Sequence, residues 1–290
     1  MNPENNMEDI LTLRPQFLDD FIGQENVTNN LKIYIKAALN RNEILDHCLF
    51  YGSAGLGKTT LARIVANEMG GNFKEISGPS IEKPGDLASV MSNLCPGDVL
   101  FIDEIHRIDK SAEEILYSAM EDYKINVIVG RDNEARNIQI DLPPFILIGA
   151  TTKIGLLSAP FRDRFGISFK LDDYDEYSVK KIINRTSKLF EIEIEDEAET
   201  ILAKCSRSTP RIAINLVKRI RDFMNLENKK KADKFSINSY LNKLGIDKYG
   251  LNDNDRKYIK ILFKNNHHPI GLNTISVLMN EEESNIEETI

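Results

Sequence analysis

The chain has 290 residues, 41% hydrophobic and 28% charged, which exceeds one ordinary core and fits a globular protein of two or three domains. No apolar run reaches the ~18–20 residues of a membrane-spanning helix, the acidic start from Met1 to Asp9 is unlike a signal peptide, and the widely spaced Cys48, Cys95 and Cys205 argue against a disulfide scaffold or paired-cysteine metal site and for a reducing, cytoplasmic setting. The net charge of −8 speaks at first against a nucleic-acid partner.

Up to about residue 170, short apolar runs alternate with helical patterns, with no fixed repeat. The runs Cys48–Tyr51, Val99–Ile102 and Phe145–Ile148 each lead into a polar turn. Buried parallel strands read this way, with helices between them. Ile125–Val129 and Ile138–Leu142 alternate apolar and polar residues around a tip at Gly130–Arg136, which predicts a hairpin over 125–142. An α/β domain with a parallel sheet is therefore expected over 1–170.

From about Leu171 the spacing changes. Ser178–Phe190, Glu197–Lys204 and Arg211–Phe223 carry apolar residues three and four apart. Asp196 and Thr209 stand near two of the starts, with Pro210 suited to a first helical position. With a short helix at Ile237–Leu244, this predicts an all-helical domain over 171–245. Residues 246–290 read as a helix, a turn at His267–Gly271, a second helix and the acidic start of a third. That suits a helix-turn-helix or winged-helix module, and it suits a plain helical cap equally.

Gly52-Ser53-Ala54-Gly55-Leu56-Gly57-Lys58-Thr59 fits G-x-x-x-x-G-K-[ST], with an apolar strand before it and a helical pattern, Thr60–Met69, after it. The glycines let successive N–H groups face phosphates, and the helix N-terminus adds partial positive charge. Lys58 is expected to reach the β- and γ-phosphates and Thr59 to hold Mg²⁺. Val99–Ile102 ends in Asp103-Glu104, delivering two carboxylates to the sheet edge. Asp103 is expected at Mg²⁺, and Glu104 is expected to orient or deprotonate the attacking water. Hydrolysis of ATP, beyond binding, follows from that glutamate. A third strand ends in Thr151-Thr152, where a hydroxyl could sense the γ-phosphate. Arg162-Asp163-Arg164 is either a surface ion cluster or an arginine finger for a neighbour's phosphate. Arg211 either closes over the nucleotide or caps its helical segment.

Together these features resemble an AAA+ ATPase. The strings Leu13-Arg14-Pro15, Phe21-Ile22-Gly23-Gln24, Asp103-Glu104-Ile105-His106-Arg107, Ala119-Met120-Glu121-Asp122-Tyr123, Leu147 to Thr152, Arg162 to Gly166 and Thr209-Pro210-Arg211 are similar to the RuvB family within it. The resemblance runs from about Leu11 to the C-terminus. It implies an ATP-dependent motor for Holliday-junction branch migration in recombination, repair and the SOS response, working as a hexameric ring with RuvA. It implies Thr152 as sensor 1, Arg164 as the finger acting on the adjacent subunit and Arg211 as sensor 2. It implies Leu13, Arg14 and Tyr174 around the adenosine, and Glu121, Asp122 and Tyr123 close to the nucleotide. The nucleotide-binding set is then Leu13, Arg14, Gly52, Gly55, Leu56, Gly57, Lys58, Thr59, Thr60, Glu121, Asp122, Tyr123, Arg164, Tyr174 and Arg211. Hairpin 125–142 is implied as the RuvA contact, with Val127 and Val129 as candidates.

The sequence also departs from the family. Ser53 and Ala54 stand where two prolines are usual, and Ser208 where glycine is usual. The family's basic wing has no counterpart before Ile290, so a truncated winged helix is expected. A clamp-loader-like ATPase and a nucleotide-dependent scaffold remain alternatives. The charge is uneven: 17 basic and 24 acidic residues over 1–170, 15 and 13 over 171–245, and 5 and 8 over 246–290. A local basic surface is all that DNA contact requires.

Overall fold

The computed structural model describes residues 14–129, 136–265 and 268–289. Contacts divide the chain into two units that meet between Tyr174 and Asp175. In the first, the strands are β1 (Cys48–Tyr51), β2 (Phe73–Ser77), β3 (Val99–Asp103), β4 (Lys124–Val129), β5 (Arg136–Asp141), β6 (Ile146–Thr151) and β7 (Ile167–Lys170). Five of them form one sheet in the order β2-β3-β6-β1-β7, and every pairing is parallel. β4 and β5 form a separate antiparallel hairpin.

Burial explains the sequence pattern. Val99, Leu100, Phe101 and Ile102, and Phe145 through Ile148, are fully buried, as in strands covered on both faces. Helix α1 (Glu25–Arg41) leads into β1, and α2 (Lys58–Met69), α3 (Pro84–Met91), α4 (Lys110–Asp122) and the short α5 (Ala159–Arg162) join the strands. Leu87, Met91 and Leu116 pack with Leu100, Ile102 and Leu147 in one apolar cluster. Burying a Leu or Met side chain of this kind contributes roughly 1.5–3 kcal/mol. The two edge strands, β2 and β7, are only partly covered and lack a continuous apolar run, so the sequence pattern passes over them. Since all five strands are parallel, their carboxyl ends share one edge, where open α/β sheets place ligands.

The second unit holds α6 (Glu176–Leu189), α7 (Asp196–Cys205), α8 (Pro210–Leu226), α9 (Lys234–Lys243), α10 (Asp253–Lys264), α11 (Leu272–Met279) and α12 (Glu283–Thr289). Pro210 opens α8, where its missing N–H leaves no helical bond unmade. One addition escapes the helical pattern: Glu193–Ile194 pairs in parallel with Lys231–Ala232. Two residues are too few to show a period. The last three helices gather Ile275, Met279 and Ile286 into a small core with Tyr258 and Ile261. Gly250, at φ +80°, lies so close to Cys205 that a Cβ would stand 2.3 Å from its carbonyl oxygen. Among the described residues no helix is long and apolar enough to cross a membrane.

Candidate nucleotide site

The phosphate loop leaves β1 at the carboxyl edge. Gly52, Gly55 and Gly57 take φ of +140°, +82° and +104°, conformations that side chains resist. A Cβ on Gly52 would lie 2.4 Å from the Leu171 carbonyl oxygen, and one on Gly57 would lie 3.0 Å from the Phe21 ring. Gly57 is the N-cap of α2 and offers its first amides no side-chain acceptor, the arrangement in which helix N-termini bind anions. Lys58 is buried, and its Nζ donates to the carbonyls of Gly52 and Ser53, both at 2.8 Å. Thr59 and Thr60 follow on the first turn, half-buried, and Leu56 is buried.

Tyr174 backs this loop. Its hydroxyl donates to the Leu56 carbonyl at 3.3 Å. Its ring lies against Gly23, where a Cβ would come within 2.6 Å. Burial pushes the phenol pKa up. Gln24 braces the same segment by exchanging hydrogen bonds with the backbone of Asp172. Arg14 is half-buried, and its carbonyl accepts from Gln16. Leu13 lies outside the described residues.

β3 brings Asp103 and Glu104 to the same edge. Glu104 has a left-handed backbone, φ +50°, and its N–H donates to Asp103 Oδ1 at 3.0 Å. Its carboxylate pairs with the exposed Arg107 at 3.1 Å. β6, paired with both β3 and β1, ends at Thr151. The Thr151 carbonyl accepts the Gly52 N–H at 3.2 Å, and its buried hydroxyl lies 2.9 Å from His106 Nδ1. Thr152 is the next residue and is exposed. Phosphate loop, acidic pair and threonine turn therefore meet at one sheet edge.

The other expected residues form a second cluster. Arg164 stands three residues before Ile167, which pairs with Cys48 at the start of β1. That is the amino edge, about 13–17 Å away for strands of four or five residues. The guanidinium of Arg164 lies 4.2 Å from the centre of the Tyr117 ring. Its Nη1 donates to the Pro160 carbonyl at 2.8 Å, and its Nε is 3.1 Å from Glu121 Oε1. Glu121 and Asp122, both exposed, end α4. Tyr123 follows at φ +52°, edge-on to Phe145 at 6.0 Å. The structure thus groups Glu121, Asp122, Tyr123 and Arg164 with one another, away from the phosphate loop of their own chain. Arg211 belongs to the second unit and is exposed on the first turn of α8. The side chains of Val127 and Val129 lie outside the described residues.

Two histidines join these parts, and spacing assigned neither a role. His47 is buried just ahead of β1; Leu147 N–H donates to its Nδ1 at 2.9 Å, and its Nε2 is 3.3 Å from the Met120 carbonyl oxygen. His106 bonds Thr151, and burial foremost lowers its pKa. The signals were a polar residue at the head of an apolar strand and a histidine two places after the acidic pair.

Sequence profiles match the chain from residue 13 onward: the Holliday junction DNA helicase RuvB P-loop domain over residues 13–171, the RuvB AAA lid domain over 174–247 and the RuvB C-terminal winged helix domain over 248–290. The Holliday junction branch migration complex subunit RuvB of Rickettsia africae is 50% identical over 288 residues, 99% of this chain and 84% of the relative. That of Wolbachia pipientis wMel is 50% identical over 280 residues, 97% and 86% of the two chains. A solved structure titled Thermotoga maritima RuvB Holliday junction branch migration motor superimposes with a TM-score of 0.86 at 45% identity, covering 95% of this chain and 88% of that one. With three adjoining domains, near-complete identity coverage and a shared fold, the chain belongs to the RuvB family of AAA+ ATPases.

Proposed function

We propose that this chain is the ATP-hydrolysing subunit of a Holliday-junction branch migration motor. It works as a ring on junction DNA together with RuvA. The observation that carries this reading is the separation of the two clusters. The phosphate loop, Asp103, Glu104 and Thr152 share the carboxyl edge, and Arg164 stands at the amino edge. One chain cannot bring its own finger to its own phosphates across that distance, so a neighbour supplies it.

At the carboxyl edge, Lys58 turns from the loop carbonyls to the β- and γ-phosphates. The amides of Gly55, Leu56 and Gly57 and of α2's first turn, through Thr59 and Thr60, cradle the phosphate oxygens. Glu104 orients and deprotonates the attacking water, and Thr152 senses the γ-phosphate. Arg164 of the adjacent subunit stabilises the transition-state charge, with Glu121, Asp122 and Tyr123 beside it. Leu13, Arg14 and Tyr174 hold the adenosine, and Arg211 serves as the second sensor of the nucleotide. Among the described residues no group of three or more His, Cys, Asp or Glu side chains could hold a metal ion. One hydroxyl, Thr59, and one carboxylate, Asp103, are hard oxygen donors, and they fit Mg²⁺, which takes few protein ligands and completes its shell with phosphate oxygens and water. When bound, Mg²⁺ neutralises phosphate charge. Hairpin 125–142 contacts RuvA. The cysteines are free, two of them buried, which suits the reducing cytoplasm.

Mixing subunits tests the shared site. Neither Arg164→Ala nor Glu104→Gln alone should hydrolyse ATP well, whereas mixtures should regain activity at interfaces pairing an intact Glu104 with an intact Arg164. No recovery at any ratio would overturn the assignment of Arg164. Lys58→Ala should lose nucleotide binding altogether.

A further inference from the structure

We propose that His106 and Thr151 are positioning residues. They form a clasp that locks the Asp103–Glu104 turn to the end of β6 and, through the Thr151 carbonyl, to the phosphate loop. The proposal rests on reading this edge as the site of ATP hydrolysis.

Thr151 is 1% exposed, and each of its polar groups inside the sheet edge has a partner from a different segment. Its hydroxyl bonds His106 Nδ1 at 2.9 Å and accepts the Lys153 N–H at 2.9 Å. Its carbonyl accepts the Gly52 N–H at 3.2 Å. A threonine hydroxyl has one proton and two lone pairs, so it can accept from Lys153 and still donate to, or accept from, the imidazole. One residue therefore ties the start of the phosphate loop, the turn leading from Thr152 and the loop that carries Glu104.

That loop needs the tie. Glu104 holds φ +50° and ψ +43°, a region that non-glycine residues occupy at a cost and keep only when their surroundings enforce it. On the β2 side the enforcement is steric: Gly78 packs so closely that a Cβ there would stand 2.4 Å from the Glu104 carbonyl oxygen. On the β6 side it is the His106 bond, two residues beyond Glu104. The Arg107–Glu104 pair is largely solvent-exposed and supplies little restraint. His106 acts through Thr151, by fixing where the Glu104 carboxylate stands relative to Thr152.

The test is steady-state ATPase kinetics with separate measurement of ATP affinity. His106→Ala should lower kcat about tenfold, the rate equivalent of one well-made hydrogen bond in a shielded site, with ATP affinity unchanged within twofold. His106→Asn places an amide atom where Nδ1 stands and should restore most of the rate. His106→Gln places its amide near the Nε2 position and should not. Thr151→Val should match His106→Ala, and the double variant should be no slower than either single one. Equal rates for the Asn and Gln variants, or additive losses in the double variant, would overturn the proposal. A wild-type chain that binds ATP without hydrolysing it would instead overturn the reading of the site beneath it. Circular dichroism melts of the Asn and Val variants guard against loss of the fold, since valine keeps the shape of threonine and asparagine keeps a polar atom at the Nδ1 position.

Discussion

Replacing His47 with alanine removes a buried ring that is bonded through both nitrogens. A backbone N–H can only donate, so Nδ1, which receives Leu147 N–H at 2.9 Å, carries no proton. Nε2–H therefore donates to the Met120 carbonyl at 3.3 Å. Alanine leaves two buried backbone groups without partners, at roughly 1–3 kcal/mol each, and loses the ring's packing on Phe145, 5.5 Å between centroids. The expected loss is about 3–5 kcal/mol, a large share of the ~5–15 kcal/mol that holds a typical domain. His47→Asn keeps an acceptor where Nδ1 stands and should lose about half as much. The pH dependence has a definite sign. Burial, the dominant cause, holds the His47 pKa below its ordinary value. The unfolded chain therefore takes up the proton first, and stability falls as pH drops below about 6.5, by up to ~1.4 kcal/mol per unit. Above that pH the contribution is fully present. Thermal melts at pH 7.5 and 5.5, with hydrogen exchange at the Leu147 amide to isolate this unit, check both points. Equal losses for Asn and Ala, or a gap between wild type and the Asn variant that does not narrow at pH 5.5, would refute the reasoning.

Gly23→Ala puts a Cβ 2.6 Å from the Tyr174 ring at φ +80°; it should lower the melting temperature by the equivalent of about 1–3 kcal/mol and weaken ATP affinity through the Leu56 loop. Asp98 is buried, which pushes its pKa up, but bonds from Cys95 N–H, Asn72 and Lys74 outweigh this and hold it below the usual carboxylate range. Asp98→Asn should cost about 2–4 kcal/mol at pH 7 in urea titrations, and the gap should close as pH falls through the depressed native pKa, because wild type then loses the same charge. Arg256 donates to the carbonyls of Leu251 at 2.6 Å and Gly245 at 2.9 Å and pairs with Asp253 and Asp247. Arg256→Ala should make the segment after Leu244 cleavable by protease at concentrations that leave the wild type intact.

The central sheet was legible because burial on both faces removes every reason for polar residues. Cys48–Tyr51, Val99–Ile102 and Phe145–Ile148 could hardly be anything else. β2 and β7 were not, since an edge strand covered on part of one face carries no continuous run. The ladder between Glu193–Ile194 and Lys231–Ala232 is shorter than any period. Among candidate site residues, the phosphate loop and the acidic pair announced themselves because backbone curvature demands glycine and phosphate charge demands lysine. His47 and His106 did not. Each acts by hydrogen-bonding to a segment about 100 or 45 residues away, and only the folded sheet brings those partners together.

The seat of Arg164 bears on the role proposed for it as a finger. A bare guanidinium at the amino edge would sample many directions. Here Tyr117 stacks on it, and Pro160 accepts one of its N–H groups. Glu121 is near enough for charge attraction at 3.1 Å, yet Arg164 Nε is buried without an aligned acceptor. A pair with a half-exposed partner is worth about 0–1 kcal/mol, whereas a triphosphate in a closed interface offers several negative oxygens at low dielectric. Under that proposed role Glu121 aims Arg164 without capturing it, and the stronger field of a neighbour's nucleotide would decide where the guanidinium goes. On that balance Glu121→Gln should leave the finger functional and mainly alter how sharply ATP hydrolysis depends on salt. A complete loss of hydrolysis in the Gln variant, with the ring still formed, would place Glu121 in the chemistry and not in the aiming.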